Sequence, residues 1–313
     1  MASNILIIKH GSLGDIILAT GAMKLIRECF PAYNLILLTN TYYKSLAEKS
    51  GWFNEIWIDD RKPFYNLFYN FNVIKKLRSR DYEFIFDLQC SSRTGHYFKL
   101  MGGERYNWSG VAKGCSHYFL PDKKQNKVLQ FEHQLAVAGI KALPIPDIGW
   151  LKEDVKNILP KKEFVIFIPG CSKKHQPIKT WNAQGYAEVI DWLADRGIVS
   201  VLTGGNIDLP IIEEIVAKTR RKEYISNLIN KANFGQMAEL ARHAKAVVGS
   251  DTGPMHIAAA ASSSTAAIIL FSTTARQQPE EVRPWGNHVI PVIARGLGNL
   301  KSHTVIDVLE KIL

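Results

Sequence analysis

Two parts of the chain repeat one order of local features: an apolar run, a loop that contains glycine, and then a helical pattern. Residues 4–9 are followed by the loop 10–15 and a helix, and residues 163–168 by the loop 169–172 and a helix over 183–196. Continuous apolar strands that alternate with amphipathic helices are typical of parallel sheets covered on both faces. The order predicts an α/β protein.

The same pattern predicts three more strands in each half, over 35–39, 55–58 and 84–88 and over 199–203, 246–249 and 266–271. Pro, Gly and charged residues cluster between 144 and 160, where we place a domain boundary. At 313 residues the chain can form two cores of ordinary size. We therefore predict domains over 1–155 and 156–313, each a doubly wound parallel sheet.

The charge balance favours anionic partners. Lys and Arg number 39 against 29 Asp and Glu, a net charge of +10. The basic residues are scattered, so we expect no nucleic-acid partner. The four cysteines form no Cys-x-x-Cys pair, and no segment reads as a signal peptide or approaches the ~18 apolar residues of a membrane span. We expect a cytoplasmic protein with reduced thiols and at most peripheral membrane contact.

Residues 247–261 predict a strand, a Gly-Ser-Asp-Thr-Gly turn and an alanine-rich helix. The first N–H groups of such a helix lack backbone partners and carry the positive end of its dipole, which suits a phosphate. Pro254 fits the first helical position. An ordinary junction in which Asp251 or Thr252 only caps the helix remains the alternative.

The loop after the first strand has a different character. Gly11 and Gly14 allow a sharp turn and close approach of a ligand. In the Gly-x-Gly-x-x-Gly motif of dinucleotide-binding proteins, the third glycine would fall where this chain has Asp15. A plain dinucleotide site is therefore disfavoured. The sequence has no Asp-x-Asp and no His/Cys cluster at ligand spacing, and we expect neither a metal nor another cofactor.

Four motifs occur in a fixed order: the first strand, the Gly-x-x-Gly-Asp-Ile turn, Lys-x-Trp after the second domain's first loop, and Ser-Asp-Thr-Gly-x-x-His-x-Ala-Ala. This set, from Ile5 to about Gly286, resembles the ADP-heptose:lipopolysaccharide heptosyltransferases, inverting enzymes of glycosyltransferase family 9. The resemblance implies a GT-B fold, with two Rossmann-like domains facing across a cleft. It assigns the acceptor to the N-terminal domain and the nucleotide sugar to the C-terminal domain, with a C-terminal helix that could pack back on the first.

The resemblance also implies residue roles. Asp15 corresponds to the proposed catalytic base, although it could merely cap its helix. Lys179 corresponds to a phosphate-binding lysine, or else is a solvated loop cation. Asp208 would hold the ribose or cap the next helix. The complete implied donor set is Ser172, Lys179, Asp208, Ala232, Asp251, Thr252, Gly253 and His256, and the acceptor set is Lys9, Gly14, Gln89 and Arg93.

The implied reaction transfers heptose from ADP-heptose to a Kdo- or heptose-bearing lipid A acceptor of the lipopolysaccharide inner core, without a metal. The alternatives are another nucleotide-sugar donor, a sugar-nucleotide epimerase, and a non-catalytic binding relative. Residues 262–265 and 272–274 depart from the family pattern, and we expect both near the donor sugar. The identity of that sugar is therefore open.

One further segment has two interpretations. Residues 63–78 carry apolar side chains at 64, 67, 68, 71, 74 and 77, with cations at both ends. The spacing predicts a helix, and we favour packing of its apolar stripe on the first sheet. The alternative is a surface element that contacts lipid A or an anionic membrane at the cytoplasmic face.

Overall fold

The computed structural model describes residues 3–171, 176–274 and 278–313. The chain divides into two compact units, Met1–Trp150 and Leu151–Leu313. The division lies slightly before the boundary predicted at 155/156. Residues just after Trp150 belong to the second unit, because the Leu151 carbonyl accepts a hydrogen bond from Arg242 and Val155 is buried in that unit's core.

The first unit is built on one six-stranded sheet. Its strands are β1 (Asn4–Ile8), β2 (Asn34–Thr39), β3 (Glu55–Ile58), β4 (Tyr82–Asp87), β5 (Asn107–Gly110) and β6 (His117–Tyr118). They lie in the order β3-β2-β1-β4-β5-β6, and each pair is parallel. The helices are α1 (Leu13–Cys29), α2 (Lys44–Ser50), α3 (Leu67–Leu77), α4 (Ser92–Met101) and α5 (Lys127–Val137).

The second unit repeats this plan. Its strands are β7 (Phe164–Ile168), β8 (Val199–Leu202), β9 (Ile225–Asn227), β10 (Ala246–Ser250), β11 (Ala266–Ser272) and β12 (Val289–Ala294), in the order β12-β11-β10-β7-β8-β9. All pairs are parallel. The helices are α6 (Gln176–Lys179), α7 (Ala183–Ala194), α8 (Leu209–Lys218), α9 (Phe234–His243), α10 (Gly253–Ala261), α11 (Pro279–Val282) and α12 (Ser302–Glu310).

The α/β prediction with two doubly wound sheets is confirmed, and the central strands explain why the pattern was readable. All five residues of β7, and all of β1 after Asn4, are buried, since helices cover both faces. The sequence prediction missed the outer strands β5, β6, β9 and β12. β5, β6 and β9 are short, and β12 contains Pro291, which is tolerated at a sheet edge because its missing N–H is not needed there.

The topology fixes where a ligand can be held in each unit. Chain order reverses beside the first strand of each sheet, between β1 and β4 and between β7 and β10. The loops that leave these neighbouring strands at their carboxyl ends diverge and open a crevice, the usual ligand position in such sheets. We therefore expect ligands at the loops after β1, β4, β7 and β10.

The C-terminal helix packs within its own unit. Val305 and Leu309 of α12 are fully buried in the second core, where α12 lies against α7. We expected that this helix could pack back on the first domain. In the structure it buries its apolar face in the core of its own unit. In the described ranges no helix has the length and apolar character needed to cross a membrane.

Candidate active site

Asp15 occupies the first turn of α1, at the carboxyl edge of the first sheet. Its Oδ2 accepts hydrogen bonds from the backbone N and the Oγ of Ser12, each 3.1 Å long. These contacts are those of a helix cap, so Asp15 does cap α1, as the alternative interpretation holds. They use one carboxylate oxygen of a half-buried side chain.

The surroundings keep Asp15 ionised. Burial raises the pKa of its carboxyl, but the charge of Lys9 and the two hydrogen bonds from Ser12 lower it, and the result lies below the usual value. A carboxylate that is ionised at neutral pH can accept a proton, although a low pKa makes it a weak base before substrate binds. Capping and catalysis are therefore compatible roles for one side chain.

Three of the predicted acceptor residues lie in or beside this loop. Lys9 is buried, and its Nζ donates to the Leu88 carbonyl at 3.2 Å. The Gln89 side-chain oxygen accepts from the backbone N of His10 at 3.0 Å. Gly14 is buried in the first turn of α1. The crevice between β1 and β4 thus brings together a carboxylate, an ammonium group and an amide.

Beneath the loop lies a buried polar cluster that sequence analysis did not predict. His10 and Asp59 are both fully buried, with His10 Nε2 2.8 Å from Asp59 Oδ2. The same carboxylate accepts from the Tyr97 hydroxyl at 2.5 Å and from the backbone N of Arg61 at 2.8 Å. Asp59 directly follows β3, which was a detectable signal, whereas nothing local indicates Tyr97.

The cluster gives a stability prediction. Burial raises the pKa of Asp59, but the hydrogen bonds from His10 and Tyr97 lower it further, to about 2. A depressed pKa contributes stability above the unfolded value of about 3.9 that is lost as the pH falls towards 2. Asp59→Asn should therefore lower the free energy of unfolding at pH 7 by about 2–4 kcal/mol.

Urea unfolding at neutral and at acid pH checks this expectation. The difference between the wild type and Asp59→Asn should shrink as the pH falls, because the native carboxylate is then protonated. Asp81→Asn, at an exposed carboxylate of the same unit, should change stability little. Equal stability of wild type and Asp59→Asn at pH 7 would contradict the role given to the cluster.

Arg93, the remaining predicted acceptor residue, points to a neighbouring segment. Its guanidinium donates to the Asn70 side chain at 3.0 Å, to the Lys62 carbonyl and to the Tyr97 hydroxyl at 3.3 Å. Arg93 thus holds the segment around residues 62–70 in place. It reaches the Asp15 loop only through Tyr97 and the buried cluster.

In the second unit, three predicted donor residues meet at the start of α10. Lys179 Nζ lies 2.6 Å from Asp251 Oδ2, and His256 Nε2 lies 3.6 Å from Asp251 Oδ1. The Asp251 and His256 side chains are almost fully buried, and Lys179 is one-sixth exposed (17%). Lys179 is therefore not a solvated loop cation.

Lys179 and His256 set the charge state of Asp251. Burial raises the pKa of its carboxyl, but His256 and Lys179 lower it, and it lies below its usual value. An ionised Asp251 holds the Lys179 ammonium at the turn, where Nζ also lies 3.5 Å from the Asp251 carbonyl oxygen. A lysine fixed at the positive end of a helix is a suitable arrangement for an anion.

The helix start itself departs from the prediction in one detail. Thr252 is the N-cap and Gly253 the first helical residue, so Pro254 is second. A proline is accommodated there because first-turn N–H groups need no intrahelical partner. Thr252 Oγ1 and His256 Nδ1 are buried atoms without a hydrogen-bond partner in the described residues. Both lie where a ligand could satisfy them.

Asp208 and Ala232 lie at the same carboxyl edge, beyond β8 and β9. Asp208 Oδ2 accepts from the backbone N of Gly205 at 2.9 Å, while Oδ1 is buried without a partner in the described part of the chain. The residue stands at the N-cap position of α8 but makes no capping bond there. Burial raises the pKa of Asp208. The carboxylate lies against Gly170, where a Cβ would come within 1.9 Å of Oδ1.

The two residues of the Lys-x-Trp motif have different roles: Lys179 is a candidate functional residue, and Trp181 belongs to the core. Trp181 is fully buried, and its indole Nε1 donates to the Leu300 carbonyl at 2.8 Å. Its ring also packs beside Gly185, where a Cβ would come within 2.4 Å of the ring. Trp181 thereby anchors the chain two residues after Lys179.

The two segments that depart from the family pattern, 262–265 and 272–274, lie at opposite edges of the second sheet. Residues 262–265 connect the end of α10 to the start of β11, at the edge of the sheet opposite to Asp251, so the prediction that they lie near the donor sugar is wrong. Residues 272–274 follow the carboxyl end of β11, on the same edge as Asp251. Ser172 lies outside the described residues.

The sequence model of glycosyltransferase family 9 (heptosyltransferase) matches residues 70–312. The chain belongs to this family. The match begins after the Asp15 loop and does not include it.

Curated relatives and solved structures agree with the assignment. Lipooligosaccharide heptosyltransferase 2 of Haemophilus influenzae is 33% identical over 104 residues, which span 33% of this chain and only 30% of that protein. The protein of the same name from Haemophilus ducreyi is 22% identical over 82% of this chain and 79% of its own length.

Two crystal structures share the fold. A family 9 glycosyltransferase from Veillonella parvula has a TM-score of 0.83 at 17% identity, covering 99% of this chain and 97% of that one. The Escherichia coli heptosyltransferase WaaC with ADP has a TM-score of 0.77 at 18% identity, covering 99% and 100%. At such identities the likeness concerns the fold alone, and the predicted GT-B class is confirmed.

Proposed function

We propose that this family 9 member is an inverting glycosyltransferase that transfers heptose from ADP-heptose to the inner core of lipopolysaccharide. The observation that carries the proposal is the Lys179 ammonium held by Asp251 at the N-terminus of α10. Such a group suits the diphosphate of a nucleotide sugar. The names of the relatives support heptose and a lipopolysaccharide acceptor, and the ADP bound to WaaC supports an adenine nucleotide.

The second unit would hold the donor. The Thr252 and Gly253 amides and Lys179 meet the diphosphate, and Asp208, with one unsatisfied oxygen, accepts hydrogen bonds from the ribose hydroxyls. Ala232, which follows β9 at the same edge, would lie beside the adenine. We propose that these protein groups meet the charge of the departing ADP and that no metal or other cofactor takes part.

The first unit would hold the acceptor beside Asp15. The acceptor hydroxyl oxygen attacks the anomeric carbon from the face opposite to ADP, and its proton passes to the Asp15 carboxylate. The bond from the anomeric carbon to the phosphate oxygen breaks, and both electrons leave with ADP. Lys9 and Gln89, which lie beside the Asp15 loop, would position the acceptor near that carboxylate. The configuration at the anomeric carbon is thereby inverted.

The acceptor carries lipid A, so we place the enzyme at the cytoplasmic face of a membrane, as a peripheral protein. This proposal agrees with the expected compartment and needs no membrane-spanning helix.

A transfer assay with the purified full chain tests the function. ADP-heptose and heptose-deficient lipopolysaccharide should yield ADP and an acceptor heavier by one heptose, and the rate should be undiminished in EDTA. Calorimetry should give tighter binding of ADP than of UDP. Loss of turnover in EDTA that Mg²⁺ restores, or tighter binding of UDP, would overturn the corresponding part. An isomerised nucleotide sugar formed without acceptor would instead indicate an epimerase.

A further inference from the structure

The start of α3 and the loop before it expose an unusual group of large apolar side chains. Exposed fractions run from 54% to 85%. We call this group, together with the basic residues that flank it, the aromatic surface; its apolar members are Phe64, Tyr65, Leu67, Phe68 and Phe71. The favoured sequence interpretation, which packed this stripe on the sheet, is wrong for Phe64, Leu67, Phe68 and Phe71.

The reason lies in the two faces of α3. Val73 and Leu77, four residues apart, are buried in the core of the first unit, and Ile74 packs beside them. Leu67, Phe68 and Phe71 project from the other side of the helix, because positions one turn apart share a face. The core thus takes Val73 with the last two members of the predicted stripe, Ile74 and Leu77, and the aromatic members are left to solvent.

The aromatic surface is a built structure rather than a loose loop. The Asn66 side chain caps α3 by accepting from the Tyr69 N–H, and the Asn70 side chain donates to the Pro63 carbonyl at 2.9 Å. The Arg93 guanidinium lies 4.6 Å from the centre of the Phe64 ring and also donates to the Lys62 carbonyl. Exposed apolar groups held in this way mark an interaction site.

Charge identifies the kind of partner. Residues 61–80 contain six Lys and Arg and no Asp or Glu. Lys62 and Lys75 are exposed at the two ends of the aromatic stripe, and Lys99 is exposed on the neighbouring helix α4. Aromatic side chains at headgroup depth combined with surrounding Lys and Arg are the chemistry of an anionic bilayer surface. The interior of a protein interface, by contrast, is depleted of lysine.

The position of the aromatic surface fits the proposed reaction. It follows the carboxyl end of β3, at the same edge of the first sheet as Asp15 and Gln89. Arg93 and Tyr97 link it through hydrogen bonds to Asp59 and thus to His10, which lies five residues before Asp15. A bilayer docked here would present lipid-linked acceptors at the edge that carries the base.

We propose that the aromatic surface docks the protein on an anionic lipid bilayer. Phe68 and Phe71 enter the headgroup region, while Lys62 and Lys75 pair with lipid phosphates. The inference rests on the proposed function for its biological setting, but lipid binding can be measured without donor or acceptor. Failure of one proposal is therefore distinguishable from failure of the other.

Vesicle co-sedimentation of the full chain tests the proposal. The protein should bind vesicles of phosphatidylcholine that contain phosphatidylglycerol, and should bind pure phosphatidylcholine more weakly. Phe68→Ser/Phe71→Ser and, separately, Lys62→Glu/Lys75→Glu should each weaken binding at least about tenfold. Added salt should weaken the wild type, because exposed charges are screened.

Matched variants and activity separate docking from folding. Leu120→Ser/Ile145→Ser removes two other exposed apolar side chains of the first unit, 72% and 58% exposed, and should bind vesicles like the wild type. Phe68→Ser/Phe71→Ser should keep its turnover on a soluble, deacylated acceptor and lose it on the same acceptor with acyl chains in vesicles. Unfolding curves of all variants serve as the folding check.

Three outcomes would overturn the proposal. The first is no binding of the wild type to anionic vesicles. The second is equal binding by the wild type and Phe68→Ser/Phe71→Ser. The third is a dimer in light scattering that this double variant abolishes while vesicle binding is absent, since a second copy of the chain would then be the occupant.

Discussion

Asp15→Asn should reduce kcat by about 10²–10⁴-fold while leaving ADP affinity and the fold nearly unchanged. Asparagine can still accept hydrogen bonds from the Ser12 backbone N and Oγ, so the start of α1 keeps its cap. It cannot accept the proton of the acceptor hydroxyl. Steady-state transfer kinetics and ADP calorimetry on the same preparation measure the two effects.

Two comparisons make the result decisive. Asp15→Ala removes both roles, and should add a stability loss of about 1 kcal/mol to the same kinetic defect. Asp147→Asn alters another carboxylate of the first unit, one paired with Lys24, and should leave kcat unchanged. Full activity of Asp15→Asn would mean that Asp15 is only a cap and that another group is the base.

Lys179→Ala should weaken ADP binding by roughly 1.5–3 kcal/mol, or about 10- to 150-fold, the range of a charge-assisted contact. The effect should appear in the dissociation constant of ADP and in the KM of the donor. It should be small for adenosine, which lacks the phosphates. Calorimetry with ADP and with adenosine gives both values.

The Asp251 pair requires a control, because removing Lys179 leaves a nearly buried carboxylate with only His256 beside it. Lys24→Ala breaks a lysine–aspartate pair of similar length in the first unit and should not change ADP affinity. Unfolding curves of both variants show whether the second unit remains folded. Unchanged ADP binding by folded Lys179→Ala would remove the lysine from the donor site.

Most of the fold could be predicted from the sequence, because the central strands are buried on both faces. Residues such as Ile5–Ile8 form continuous apolar runs that only a covered parallel strand explains. Of the edge strands, β3 was predicted from the sequence, whereas β6, β9 and β12 were not. β6 is two residues long, and β12 includes Pro291, so their pairing follows from the neighbours that accept them and not from their own pattern.

The sequence predicted the candidate site where its groups are close together along the chain. Residues 250–256 place a carboxylate, two amides and an imidazole on one turn and helix, and local helix geometry alone brings them together. The pairing of Lys179 with Asp251 joins residues 72 positions apart. The resemblance named both residues, but only the packing of the loops after β7 and β10 brought their charges into contact.

The sequence by itself determined the alternation of strands and helices and the helix-start motifs, because each depends on short-range periodicity and local hydrogen bonding. Tertiary structure alone decided the buried His10–Asp59–Tyr97 cluster, the Lys179–Asp251 pair and the exposure of the aromatic stripe of α3. An amphipathic pattern states that a face is apolar, but not what covers it. In α3, Val73 and Leu77 are buried in the core, whereas Phe68 and Phe71 are exposed to solvent.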